Sequence, residues 1–192
     1  MQTVEPTTRK WTREEYYQMG DLGFFQDQRV ELIDGEIIEM APQKDMHAAA
    51  VGLVRAAVEP LFRSGFWIRE QLPMNMGPTS EPEPDISVVP GGPRDYVGTG
   101  HPRTAALLVE VSETTLRFDR RRKGSLYAAA GIQDYWIVNL IDRHVEIHRQ
   151  PIADASQPHG FRYADVVPLK PGQSMSPLAA AGQQVAVNDL LP

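Results

Sequence analysis

Cysteine is absent from this 192-residue chain, so no disulfide framework, thiolate metal site or cysteine nucleophile can be built. Long hydrophobic runs are missing too. Nowhere do the ~18 consecutive apolar residues of a membrane span occur, and the opening MQTVEPTTRKWTREE lacks the apolar stretch of a signal peptide. The expectation is a cytoplasmic protein with no membrane partner. No G-x-S-x-G elbow, G-x-G-x-x-G fingerprint, GK[ST] loop or H-E-x-x-H pair is present, which argues against serine hydrolases, dinucleotide enzymes, P-loop NTPases and helical zinc proteases. Positive charge is also scarce: the net charge is −6 and the pI about 5.4. Such a chain does not coat nucleic acid through its overall field, and any phosphate-binding charge must be confined to a groove. The densest basic run, Arg120-Arg121-Arg122-Lys123, is a candidate for one.

What is present suits a core without staples: 42% hydrophobic and 23% charged residues. The expected organisation is a single α/β domain over 1–192, with a helical segment in 1–28 and an extension from 151 to 192 too short to bury a core of its own. Thr12 stands three residues before Glu15, the spacing of a capping box, and predicts a short helix over 12–19. RVELIDGEIIEM flanks Asp34-Gly35 with strand-forming residues and predicts a hairpin with a type I′ turn. That register opposes Glu31 to Ile38 and leaves the Glu31 carboxylate on an otherwise apolar face. It either pairs with Arg29 or serves a site.

Apolar residues at helical spacing predict a core helix over 47–62, with Asp45 as its N-cap and Pro60 distorting the last turn. Strands are expected over 66–72, 84–89, 105–111, 135–140, 145–149 and 161–167, and another short apolar piece at 185–191. A second helix is expected over 119–130, stopped by Gly131. Helices should cover both faces of a mixed sheet.

Asp85 stands at the entrance of one buried strand and Glu110 near the end of the next. If these strands are antiparallel neighbours, the carboxylates converge, and all-oxygen ligands favour Mg²⁺ or Mn²⁺. Such an ion would polarise a phosphoryl oxygen and lower the pKa of a water, and a nearby lysine would offset charge in the transition state. His144 and His148 lie four apart in an expected strand, where that spacing does not form a helical zinc face. The five histidines are expected at the surface, His47 aside.

VELIDGEII, His47 opening a helix, Pro84-Asp85, VEVSETT at 109–115, Asp119 followed by Lys123, Tyr127, and GIQDYWIVN at 131–139 occur in that order. The set resembles the Uma-type family of restriction endonucleases in the PD-(D/E)XK nuclease superfamily, over 30–149. The resemblance implies a restriction-endonuclease-like fold and a metal-dependent endonuclease that hydrolyses DNA through a metal-activated water and works as a homodimer. It implies Asp85, Glu110 and Glu31 as metal ligands, Lys123 as the catalytic lysine carried on the helix, and His47 beside phosphate or moving a proton. Ser112 stands where the parent pattern has its lysine, and Asn139 where the family has an acid. Asp119 is expected to hold Lys123 by an i,i+4 pair, Tyr127 to pack over the site, and Tyr135 and Trp136 to fill the core. The alternative is a catalytically silent nucleic-acid-binding or assembly module of the same fold.

Overall fold

The computed structural model describes residues 6–62 and 64–192; the first five residues of the opening segment lie outside it. Helix α1, Arg13–Asp21, starts where the capping box places it. The Thr12 hydroxyl accepts the Glu15 N–H at 3.2 Å, and the Glu15 carboxylate accepts the Thr12 N–H at 3.0 Å. Strands β1, Val30–Ile33, and β2, Glu36–Glu39, form the hairpin in the expected register, Glu31 opposite Ile38. Both turn residues have positive φ, 51° at Asp34 and 69° at Gly35, as a type I′ turn requires. Gly35 is needed for a second reason: a Cβ there would lie 2.6 Å from the Lys10 Cβ.

Helix α2, Asp45–Val58, buries Ala50, Val51, Val54 and Val58 along one stripe. Its N-cap is Lys44 rather than Asp45, and no side chain caps it. Asp45 is the first helical residue, where a carboxylate meets the positive end of the helix dipole. The last turn does tighten at Pro60, becoming a 3₁₀ turn over Glu59–Leu61.

Six strands form the main sheet in the order β3-β4-β5-β6-β7-β8: Phe66–Glu70, Ile86–Pro90, Leu107–Ser112, Asp134–Asn139, His144–Ala153 and Phe161–Leu169. Every neighbouring pair is antiparallel except β5 and β6. That parallel pair needs a crossover, which the helical stretch 116–129 supplies. This stretch begins three residues earlier than the sequence suggests and is not one regular helix. Helix α3, Leu116–Phe118, passes into a π turn, Asp119–Lys123, and then α4, Gly124–Ala129. In the π turn the Gly124 N–H reaches the Asp119 carbonyl five residues back. Gly131, at φ 77°, ends the segment as a left-handed cap.

The two-residue period of the strands divides the interior. Leu107, Val109 and Val111 face α2, together with Trp136 and Val138. The C-terminal elements join that face: β9, Ser174–Met175, and β10, Val185–Ala186, pair with each other, and Met175, Val185, Val187 and Leu190 pack into the same core. Leu108, Tyr135 and Ile137 face the other way, toward Leu126 and Tyr127 of α4, Ile33 of the hairpin and Tyr163 of β8. Glu110 and Ser112 share the parity of Leu108, so they point at the helical stretch rather than at α2. Tyr135 and Trp136 fill core volume as expected, both fully buried.

Candidate active site

Asp85 and Glu110 are brought together by strand register. Antiparallel β4 and β5 pair Ile86 with Val109, and one step further sets Asp85 beside Glu110. The Asp85 Oδ2 accepts the Val111 N–H at 2.8 Å, so this carboxylate is tied to β5. Its Oδ1 accepts the Gln71 amide at 3.0 Å and lies 3.1 Å from His47 Nε2. Burial would raise this carboxyl, but the bonds from His47, Val111 and Gln71 outweigh it and hold Asp85 below the usual carboxylate range. Gln71 carries no motif signal in the sequence. Its φ of 50°, a left-handed conformation rarely taken by residues other than glycine, lies in the turn that brings it to Asp85.

Lys123 comes from the π turn. Its ammonium donates to Glu110 Oε1 at 3.0 Å and to Glu31 Oε1 at 3.1 Å. All three are buried, Lys123 and Glu31 1% exposed and Glu110 4%. Tyr127, one turn on, donates its hydroxyl to the same Glu110 oxygen at 2.6 Å, so it bonds to the site rather than merely covering it. Burial would lower the Lys123 pKa, yet Glu110, Glu31, Asp119 and Asp85 together raise it well above an ordinary lysine. Burial pushes Glu110 well above the carboxylate range, opposed by Lys123 and reinforced by Asp119, Asp85 and Glu31.

Of the two alternatives for Glu31, the pairing with Arg29 is not the one taken, and the expected Asp119–Lys123 pair is replaced. Arg29 does not take Glu31; it lies 3.7 Å from Glu83, while Glu31 turns inward to Lys123. Asp119 does not hold Lys123 by an i,i+4 pair. Its carboxylate accepts the hydroxyls of Ser112 and, at 2.6 Å, Thr115. Ser112, which stands where the parent pattern has a lysine, therefore anchors the π turn that delivers Lys123.

These groups line a cavity of ≈ 260 Å³ bearing the carboxylates of Glu31, Glu83, Asp85, Glu110, Glu113 and Asp119 against the cations Arg29, Lys44 and Lys123, with His47 at its wall. Glu31 Oε2 is buried with no hydrogen bond of its own, its charge met by the Lys123 ammonium 3.1 Å away, and every acidic donor is an oxygen, a chemistry suited to a hard divalent ion. Among the described residues no three Asp, Glu or His side chains are already grouped as a metal site. Lys123 stands between the two glutamates instead.

A family model described as "Uma2: Putative restriction endonuclease" matches residues 13–188, nearly the whole chain. The chain belongs to this family. No curated protein matches it. Among solved structures it is similar to a protein described as a putative nuclease belonging to DUF820 from Anabaena variabilis, at 18% identity and TM-score 0.62, over 93% of this chain and 96% of that one. At that identity the likeness carries the fold, a mixed sheet flanked by helices. The family's description is that of a restriction endonuclease, and among the described residues no helix is long and apolar enough to cross a membrane.

The remaining histidines partly depart from the surface expectation. His144, Glu146 and His148 alternate on β7 and so share one face of the sheet. His148 is buried, 3.3 Å from the Glu146 carboxylate, with His144 3.1 Å from it on the other side. Arg120, first of the basic run, closes the cluster by gripping the same carboxylate at 2.6–3.2 Å. Asn139, where the family has an acid, reaches Glu146 Oε1 at 3.4 Å and belongs to this cluster, not to the cavity around Asp85.

Proposed function

We propose that this family member is a divalent-cation-dependent endonuclease that hydrolyses DNA phosphodiesters, with Mg²⁺ or Mn²⁺ held by Asp85, Glu110 and Glu31. The observation that carries the reading is the buried Lys123 ammonium bridging Glu110 and Glu31 at 3.0 and 3.1 Å, next to Asp85 in one acid-rich cavity. With six carboxylates against three cations, a phosphodiester would be repelled unless a cation entered with it. When bound, that ion supplies Lewis acidity and lowers the pKa of a water.

The protein's own groups have separate tasks in this reading. Lys123, its pKa raised, stays charged throughout and acts as a fixed positive charge for the developing phosphorane rather than as a base. Asp85, held ionised by His47, Gln71 and the Val111 N–H, presents a preformed negative charge. Tyr127 and Lys123 orient Glu110. His47 is a positioning residue for Asp85. Glu110 and Glu31, which would hold the ion, are the two carboxylates that the Lys123 ammonium bonds, so an ion there would share them with Lys123. Cutting both strands takes two such sites, so the reading includes a homodimer.

The test is plasmid cleavage with Mg²⁺ or Mn²⁺ beside Asp85→Asn and Lys123→Ala; both variants should lose cleavage, and activity surviving both sinks the reading. A second reading, a catalytically silent nucleic-acid-binding or assembly module, is favoured by the absence of a ready-grouped ligand set among the described residues. Calorimetry separates the two: the silent module gives no divalent-ion heat that depends on Asp85.

A further inference from the structure

The four consecutive basic residues of the helical stretch differ in the partners they take. Arg120 is spent on Glu146 at 2.6 Å. Arg122 binds the hairpin, donating to the Ile33 carbonyl at 3.0 Å and to Glu36 at 2.7 Å. Lys123 is inside the acidic cavity. Arg121 is exposed, and so is Arg117 four residues before it. Among the described residues neither has a carboxylate within salt-bridge distance or any side-chain hydrogen bond.

Arg117 and Arg121 border an open cleft of ≈ 430 Å³ whose other walls are Phe118, Pro158, Thr114, Thr115 and Arg122, the last already paired with Glu36. No carboxylate lines it. Thr114 and Thr115 also line the acidic cavity, so the two recesses share a wall. The chain thus sets an anionic pocket, suited to a cation, beside a cationic one suited to an anion. In a protein of net charge −6, two arginines without acid partners at this spot are a local reversal of the overall field. Guanidinium groups match phosphate oxygens in geometry as well as in charge. The apolar walls, Phe118 and Pro158, offer surface to a sugar or a base, as stacking platforms do.

We infer that this cleft receives a backbone phosphate of the nucleic acid adjacent to the one hydrolysed, bound by Arg117 and Arg121, with Phe118 against the neighbouring nucleoside. The inference rests on the nuclease reading and adds to it a second subsite, one that makes the substrate a polynucleotide rather than a small diester. Phosphate contacts of this kind position the strand without reading its sequence.

The experiment compares wild type, Arg117→Ala/Arg121→Ala, and a charge-matched control, Arg94→Ala/Arg103→Ala, whose exposed arginines border neither recess. Binding of a labelled DNA oligonucleotide is followed by fluorescence anisotropy in EDTA across a salt series. The cleft variant should bind roughly ten- to hundredfold more weakly, with the slope of log K against log salt reduced by roughly 1; the control should stay near wild type. With Mg²⁺ or Mn²⁺, hydrolysis of bis(p-nitrophenyl) phosphate, which has no flanking phosphate, should be unchanged in the cleft variant while KM for DNA rises. Equal affinity and salt slope in wild type and cleft variant overturn the inference, as does an equal loss in the control or a parallel loss of small-diester hydrolysis. The two failures are distinguishable: DNA binding that depends on Arg117 and Arg121 without any metal-dependent cleavage sinks the nuclease reading and keeps the phosphate cleft, whereas cleavage that ignores both arginines does the reverse.

Discussion

Replacing Lys123 with methionine keeps an unbranched apolar stem one atom shorter while deleting the charge that bridges Glu110 and Glu31. The ammonium lies 3.0 Å from one carboxylate and 3.1 Å from the other, and none of the three residues is more than 4% exposed. Without it, Glu31 keeps no side-chain donor among the described residues, and Glu110 keeps only the Tyr127 hydroxyl at 2.6 Å. Breaking a buried ion pair from one side costs about 3–5 kcal/mol. The ceiling is consistent with that, because the cluster can neutralise itself by taking up a proton, and protonating one glutamate at pH 7 from an ordinary pKa costs about 4 kcal/mol. For a chain of this size, each kcal/mol moves the midpoint by roughly 2–4 °C. Lys123→Met should therefore melt roughly 6–20 °C below wild type in EDTA, by circular dichroism or dye-binding melts. If Glu110 and Glu31 hold the ion as proposed, saturating Mg²⁺ should recover more stability in the variant than it adds to wild type, since no ammonium would then share those carboxylates. A loss under about 3 °C, or equal Mg²⁺ shifts in both proteins, would refute the bridged-cation arrangement and the sharing built on it.

If His47 positions Asp85, from which it lies 3.1 Å, as proposed, His47→Phe should weaken Mg²⁺ binding by calorimetry roughly ten- to hundredfold, as loss of a ligand's supporting partner does, with little change in DNA affinity in EDTA. Tyr127→Phe deletes one of the two donors to Glu110 Oε1 and should cost about 1–3 kcal/mol in urea denaturation. At Glu146, burial would raise the pKa, but the bonds from His148 and Arg120 outweigh it and carry the carboxyl far below its usual range. The folded state then holds fewer protons than the unfolded one, so this group's stabilisation is full above the unfolded pKa and fades as pH falls toward the depressed value. Glu146→Gln should accordingly flatten the loss of stability between about pH 5 and pH 2, measured as urea midpoints, and an unchanged acid slope would show that another group is responsible.

Much of the frame was legible in the chain because it is local. The Thr12–Glu15 box, the Asp34-Gly35 turn with its register, the Pro60 distortion and the Gly131 stop each depend on residues a few positions apart, where dihedral preferences and short hydrogen bonds decide the outcome. The buried strands and the meeting of Asp85 with Glu110 could be anticipated from apolar runs and one assumption, antiparallel neighbours, which β4 and β5 meet. The ordered motifs also pointed to the family, since they carry information that no single short pattern holds.

What the chain by itself determined, then, is the set of elements, their hydrophobic faces and the kind of acid and base available, because these follow from composition and from periods of two and 3.6 residues. Only the tertiary structure decided which charge meets which. Lys123 bonds to Glu31, 92 residues away in sequence, while Asp119, one turn away, is taken by Ser112 and Thr115. Arg122 ties down the hairpin, and Arg121 is left facing a cleft. Such pairings are long-range and competitive: each buried charge goes to the partner that packing brings within about 3 Å, and that distance exists only once the sheet, the hairpin and the π turn have assembled around it.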